Sequence, residues 1–102
     1  MVISPPTTTS PVVSRHSQAD IFGNSISGNG ANGITASQNS GVNLGNEDRM
    51  FDLGPNDTNA ASKNAGFGLS VSVISYAEGP VGSLTGARGA KDIDKTSVDC
   101  LT

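Results

Sequence analysis

The chain has 102 residues, 15% of them charged, a net charge of −3 and four aromatic side chains. Val, Ile, Leu and Phe together number 22, close to the level of about 20% below which chains stay disordered, so one thin core is the ceiling. The 13 glycines, 14 serines and 9 asparagines disfavour long helices, the six scattered basic residues exclude a nucleic-acid face, and a single cysteine excludes an internal disulfide.

In chain order, residues 1–18 form a Pro/Thr/Ser segment, Ser4-Pro5-Pro6-Thr7-Thr8-Thr9-Ser10-Pro11, expected to be flexible or to dock loosely as a first strand through Val12-Val13. Met1-Val2-Ile3 offers neither the charged nor the apolar region of a secretory signal. No apolar run reaches the length of about 18 residues that a membrane-spanning helix needs. Short strands are predicted at Asp20–Phe22, Ser25–Ser27, Gly33–Ala36, Val42–Leu44 and Arg49–Leu53. The longest is predicted over Phe67–Tyr76, where Phe67, Leu69, Val71 and Val73 alternate with Gly68, Ser70 and Ser72. The tail, 77–102, combines turn signals at Glu78-Gly79-Pro80 with the charged run Lys91-Asp92-Ile93-Asp94-Lys95 and reads as a terminal cap.

Residues 19–76 carry a recurring theme of a small residue, a glycine and one large apolar residue: Asn32-Gly33-Ile34, Ser40-Gly41-Val42 and Ala65-Gly66-Phe67. Phe22, Leu44 and Phe67 fall 22 and 23 residues apart, whereas aligning Ser40–Leu44 with Ala65–Leu69 gives 25, and an insertion at 47–63 reconciles the spacings. In a parallel stack equivalent positions lie about 4.8 Å apart, so a corner asparagine can hydrogen-bond to the one above it, and Asn24 over Asn46 is the expected pair. Gly33, Gly41 and Gly66 are expected to turn the backbone beside such ladders. Hairpin turns at Asn29-Gly30 and Asn32-Gly33 in an antiparallel sheet are the alternative.

The run from Ile21 to Ile34, with Asn39–Gly45 and Gly82–Gly86, resembles right-handed parallel β-helix repeats of the pectate-lyase-like superfamily. The resemblance implies an all-β fold, a short right-handed parallel β-helix (solenoid) of about two to three coils with an irregular C-terminal cap. It also implies the last coils of a bacterial protein of the extracellular space or cell surface. Superfamily members include polysaccharide lyases, epimerases and surface proteins without activity, so the expected function is a non-catalytic structural or binding module that contacts carbohydrate or protein. A remnant of a lyase, epimerase or hydrolase is the alternative. Self-association through the open ends is expected, because a short stack exposes unpaired edges.

A polysaccharide-cleaving member needs carboxylates and a base on the outer sheet face, sometimes with calcium. The candidate ligand-binding residues are Asp48, Arg49, Asp52, Asp57 and Lys63, for all of which turn or solvated roles are favoured because nothing in the sequence makes them converge. No catalytic, cofactor-binding or metal-ligating residue is assigned. His16 reads as a surface residue, Cys100 as an incidental thiol, and Asn56-Asp57-Thr58 as a chance match to a glycosylation acceptor.

Overall fold

The computed structural model describes residues 2–3, 11–45, 55–58 and 63–102. Among them lie nine short strands: β1 (Val2–Ile3), β2 (Val12–Val13), β3 (Gln18–Ile21), β4 (Ile34–Ala36), β5 (Gly41–Asn43), β6 (Phe67–Val71), β7 (Tyr76–Gly79), β8 (Gly89–Ile93) and β9 (Val98–Leu101). The odd-numbered strands form one sheet in the order β1-β3-β5-β7-β9, and the even-numbered ones a second in the order β2-β4-β6-β8. Every pairing is parallel. The protein is all-β, and no helix among the described residues is long and apolar enough to cross a membrane.

Period-two patterning explains the short strands. In β3, Ala19 and Ile21 are buried while Gln18 and Asp20 are exposed, and in β4 Ile34 and Ala36 are buried around a half-buried Thr35. The in-register pairing then lines the inward residues into columns: Val13, Ala36, Val71 and Ile93 in the even sheet, and Ala19, Val42 and Ala77 in the odd sheet. Both sheets contribute to one core cluster, which Ile26, Leu44 and Leu84 from outside the strands complete. The core is thin because each of β2 to β7 buries only one or two side chains.

Buried amides tie the layers together where no strand does. Asn64 is fully buried; its Oδ1 accepts from the Asn29 backbone N at 3.3 Å and side-chain Nδ2 at 2.8 Å, and its own Nδ2 donates to the Ile26 and Thr85 carbonyls at 3.0 and 2.9 Å. Asn56, also fully buried, accepts from Asn24 N at 3.1 Å and donates to the Ile21 carbonyl at 2.9 Å. Thr58 donates to the Ile26 carbonyl and accepts from Thr85 N. Parallel bridges Ser25 to Asp57, Asp57 to Ser83 and Asn64 to Gly86 run beside these contacts. The layers approach so closely here that a Cβ on Gly33 would stand 2.6 Å from the Gly68 carbonyl oxygen.

The Asn24 backbone N donates to Asn56 Oδ1, and Asn46, its expected side-chain partner, lies outside the described residues. Several other expectations are corrected by this arrangement. The predicted strand Phe67–Tyr76 is two strands in different sheets, because residues 72–75 form a corner in which Val73 and Ile74 adopt φ of 57° and 56°. The 25-residue alignment fails for the same reason: Gly41 pairs with Tyr76 in the odd sheet, whereas Phe67 pairs with Gly89 in the even one. Offsets are 23 residues for β3 to β5 and β2 to β4, 35 for the next layer and 22 for the one after. The tail, expected as an irregular cap, supplies β8 and β9 in regular parallel pairing. Together with β1 and β2 they raise the sheets to five and four strands, more layers than two to three coils would provide. The predicted strand Arg49–Leu53 lies outside the described residues.

Replacing Asn64 by Leu strands the Thr85 carbonyl and the Asn29 donors in a buried site, while the Ile26 carbonyl keeps the Thr58 hydroxyl. Urea denaturation of Asn64→Leu is expected to show a loss of about 2–4 kcal/mol, since each buried unsatisfied group costs about 1–3 kcal/mol.

Candidate binding face

The outward positions of the odd sheet form two columns. Register places Gln18, Gly41, Tyr76 and Val98 in one, and Asp20, Asn43, Glu78 and Cys100 in the other. Gly41 decides the shape of the first. A Cβ there would lie 2.9 Å from Tyr76 Cδ1 and 3.8 Å from Gln18 Cγ, so the tyrosine ring leans across backbone that only glycine leaves bare. In the second column, Asn43 Oδ1 accepts from Gly45 N at 2.9 Å, which fixes the side chain against the following turn. Gln18, Asp20, Gly41, Asn43, Tyr76 and Glu78 line one shallow depression. Its charges are the carboxylates of Asp20 and Glu78, and no residue of the two columns is cationic.

A second surface follows the corners that join even strands to odd ones. These corners read Ser14-Arg15-His16-Ser17, Ser37-Gln38-Asn39-Ser40, Ser72-Val73-Ile74-Ser75 and Asp94-Lys95-Thr96-Ser97. In the first three both central residues have φ between 56° and 62°. A serine ladder runs along the inner edge: Ser17 N donates to Ser40 Oγ at 3.2 Å, Ser40 N to Ser75 Oγ at 3.2 Å, and Ser75 N to Ser97 Oγ at 3.1 Å. His16 Nδ1 lies 2.9 Å from Asn39 Nδ2. Val73 and Ile74 are 52% and 65% exposed, and the left-handed conformation costs β-branched residues about 1–3 kcal/mol each. Their amides are nevertheless taken up by the next corner: Val73 N donates to Asp94 Oδ2 at 3.0 Å and Ile74 N to Thr96 Oγ1 at 2.9 Å.

Of the sequence-derived candidates, Asp57 and Lys63 are among the described residues. Asp48, Arg49 and Asp52 lie outside the described residues. Asp57 is exposed and bridges Ser25 and Ser83, away from the two columns, and Lys63 is exposed beside Asn64. Of the tail carboxylates, Asp92 follows the outward Thr35 and Ser70, Asp94 sits at the corner and Asp99 takes an inward position, so no two share a strand face. The described residues contain no group of three or more His, Cys, Asp or Glu that could hold a metal. Asn56 is fully buried with its amide donated to the Ile21 carbonyl, which removes it as a glycosylation acceptor in the folded protein.

Gln18, Asp20, Asn43, Tyr76 and Glu78 were not singled out from the sequence because they come from strands 23 and 35 residues apart. One signal was present: the Ser-x-x-Ser pairs at 14/17, 37/40 and 72/75 repeat at those two spacings. Comparison of the chain with family models, with curated proteins and with solved structures gives no match.

Two tests follow from these surfaces. Tyr76 is the one tyrosine and there is no tryptophan, so tyrosine fluorescence reports on this face; Gly41→Ala is expected to change its intensity and acrylamide quenching while costing no more than about 1–3 kcal/mol, the usual range for overpacking. The Asp94 carboxyl is held below its usual value by the Val73 amide first, then by the Thr96 and Ser97 hydroxyls. Its support of the corner is therefore complete above the ordinary carboxylate value of about 3.9 and is lost as pH falls through the lowered folded value. The Val73 amide resonance should titrate below the ordinary carboxylate range, and Asp94→Asn should abolish that titration.

Proposed function

We propose that this protein is a non-catalytic module of a right-handed parallel β-helix that binds an extended polysaccharide across the outer face of the odd sheet. The solenoid reading draws on the strict alternation of strands between two parallel sheets, with further parallel bridges between layers at Ser25, Asp57 and Ser83. Its handedness follows from the rule that about 98% of crossovers between parallel strands of one sheet are right-handed.

The single observation that carries the binding reading is Tyr76 laid across Gly41 and flanked by Gln18, Asp20, Asn43 and Glu78. An aromatic face offers apolar contact to the C–H face of a pyranose, and short amide and carboxylate side chains beside it are suited to hydroxyl groups. A flat parallel sheet presents such groups at a spacing of about 4.8 Å, which suits a linear chain of repeating units better than a compact metabolite. The charge of the face sets the class of glycan. Asp20 and Glu78, with no cation in either column, oppose a polyuronate by like-charge repulsion and accept neutral or amino sugars.

Titration with neutral β-linked oligosaccharides, with chitosan oligomers and with oligogalacturonate, followed by tyrosine fluorescence and calorimetry, tests this. Binding of a neutral or amino-sugar oligomer is expected, lost at least tenfold in Gln18→Ala and Asn43→Ala by fluorescence and in Tyr76→Ala by calorimetry. Preference for oligogalacturonate, or binding indifferent to all three substitutions, defeats the proposal.

A further inference from the structure

We propose that the Lys91–Asp99 ion pair is a stop that keeps a second copy of this chain from stacking onto the last layer of strands. The inward column of the even sheet runs Ile34, Leu69 and then Lys91. That of the odd sheet runs Ala19, Val42, Ala77 and then Asp99. Every apolar member of these columns is at most 3% exposed. The final member in each is instead charged, with side chains 44% and 38% exposed.

The two substitutions answer each other. Lys91 Nζ and Asp99 Oδ2 lie 3.0 Å apart, so the pair links the two sheets beside the buried Leu69 and Ala77. The Asp99 carboxylate is also held by Leu101 N, which donates to its Oδ1 at 3.0 Å. In the neighbouring columns Ile93 and Leu101 keep the apolar character and pack against the core. The core is thus carried to the last layer on one side and closed by charge on the other.

The strands that carry the pair, β8 and β9, are the edges of their sheets. An edge strand is a template for further pairing, and inward-pointing charge is one of the devices that blunt it. A second copy adding its own strands in register would set an apolar column against Lys91 and Asp99. Both would have to leave water, a cost that an ion pair does not recover by attraction alone. The self-association expected of open ends is therefore opposed at β8 and β9.

The test restores the columns with Lys91→Leu and Asp99→Ala together, and measures mass by size-exclusion chromatography with light scattering across micromolar concentrations. The double variant is expected to grow beyond the wild-type mass as concentration rises, while the exchanged pair, Lys91→Asp with Asp99→Lys, stays at the wild-type mass. A folded double variant that keeps the wild-type mass overturns the proposal, as does an exchanged pair that associates equally well. If the double variant does not fold, Lys91→Leu alone is read in the same way, and no gain in mass overturns the proposal.

Discussion

Parallel pairing in register gives each side chain of this protein a neighbour of fixed identity about 4.8 Å away, and most other features follow from that constraint. Inward positions stay apolar from layer to layer in the column Val13, Ala36, Val71 and Ile93. Corner positions can instead repeat a hydrogen-bonding group, because each hydroxyl accepts from the backbone of the layer before it. The serines at 40, 75 and 97 do so in turn. Asn64 extends the principle to a buried amide whose donors and acceptor serve two layers at once. Stacking makes polar burial tolerable here, since every layer supplies the partner that the next one needs.

The same constraint explains how backbone strain is held at the third corner. Val73 and Ile74 would abandon a left-handed conformation in an isolated loop. Here the Val73 carbonyl accepts from Asn39 N on one side, and both amides donate to Asp94 and Thr96 on the other. The corner is fixed by its neighbours above and below, so residues of poor local preference persist and their side chains remain outside the core.

Much of the frame was legible in the sequence, and its failures have identifiable causes. All-β character, short strands near residues 20–22, 33–36 and 42–44, and the alternation from Phe67 to Val71 follow from glycine and asparagine content and period-two patterning. The register did not, because the offset grows from 23 to 35 residues between one layer and the next, twelve residues that enter between Asn43 and Leu69. Corner residues hid the break between β6 and β7, since Val73 continues the apolar alternation although it points to solvent. The tail strands were hidden for a different reason. Lys91 and Asp99 occupy core columns, so β8 and β9 read locally as a polar run. The candidate face was least legible, because its members become neighbours only once the register is known.

That face also shows what a stacked sheet requires before it can present an aromatic surface. A tyrosine among full-sized neighbours about 4.8 Å to either side stands upright and shows solvent mainly its edge and hydroxyl. A glycine beside it removes the obstruction, and the ring can lie over the vacant backbone and turn its face outward. Gly41 leaves this room beside Tyr76, whose Cδ1 lies 2.9 Å from where a Cβ would stand, while its own backbone continues the ladder from Gln18. The glycine that reads in the sequence as part of a repeating frame is therefore also the residue that shapes the outer surface, and frame and face cannot be assigned to separate sets of residues.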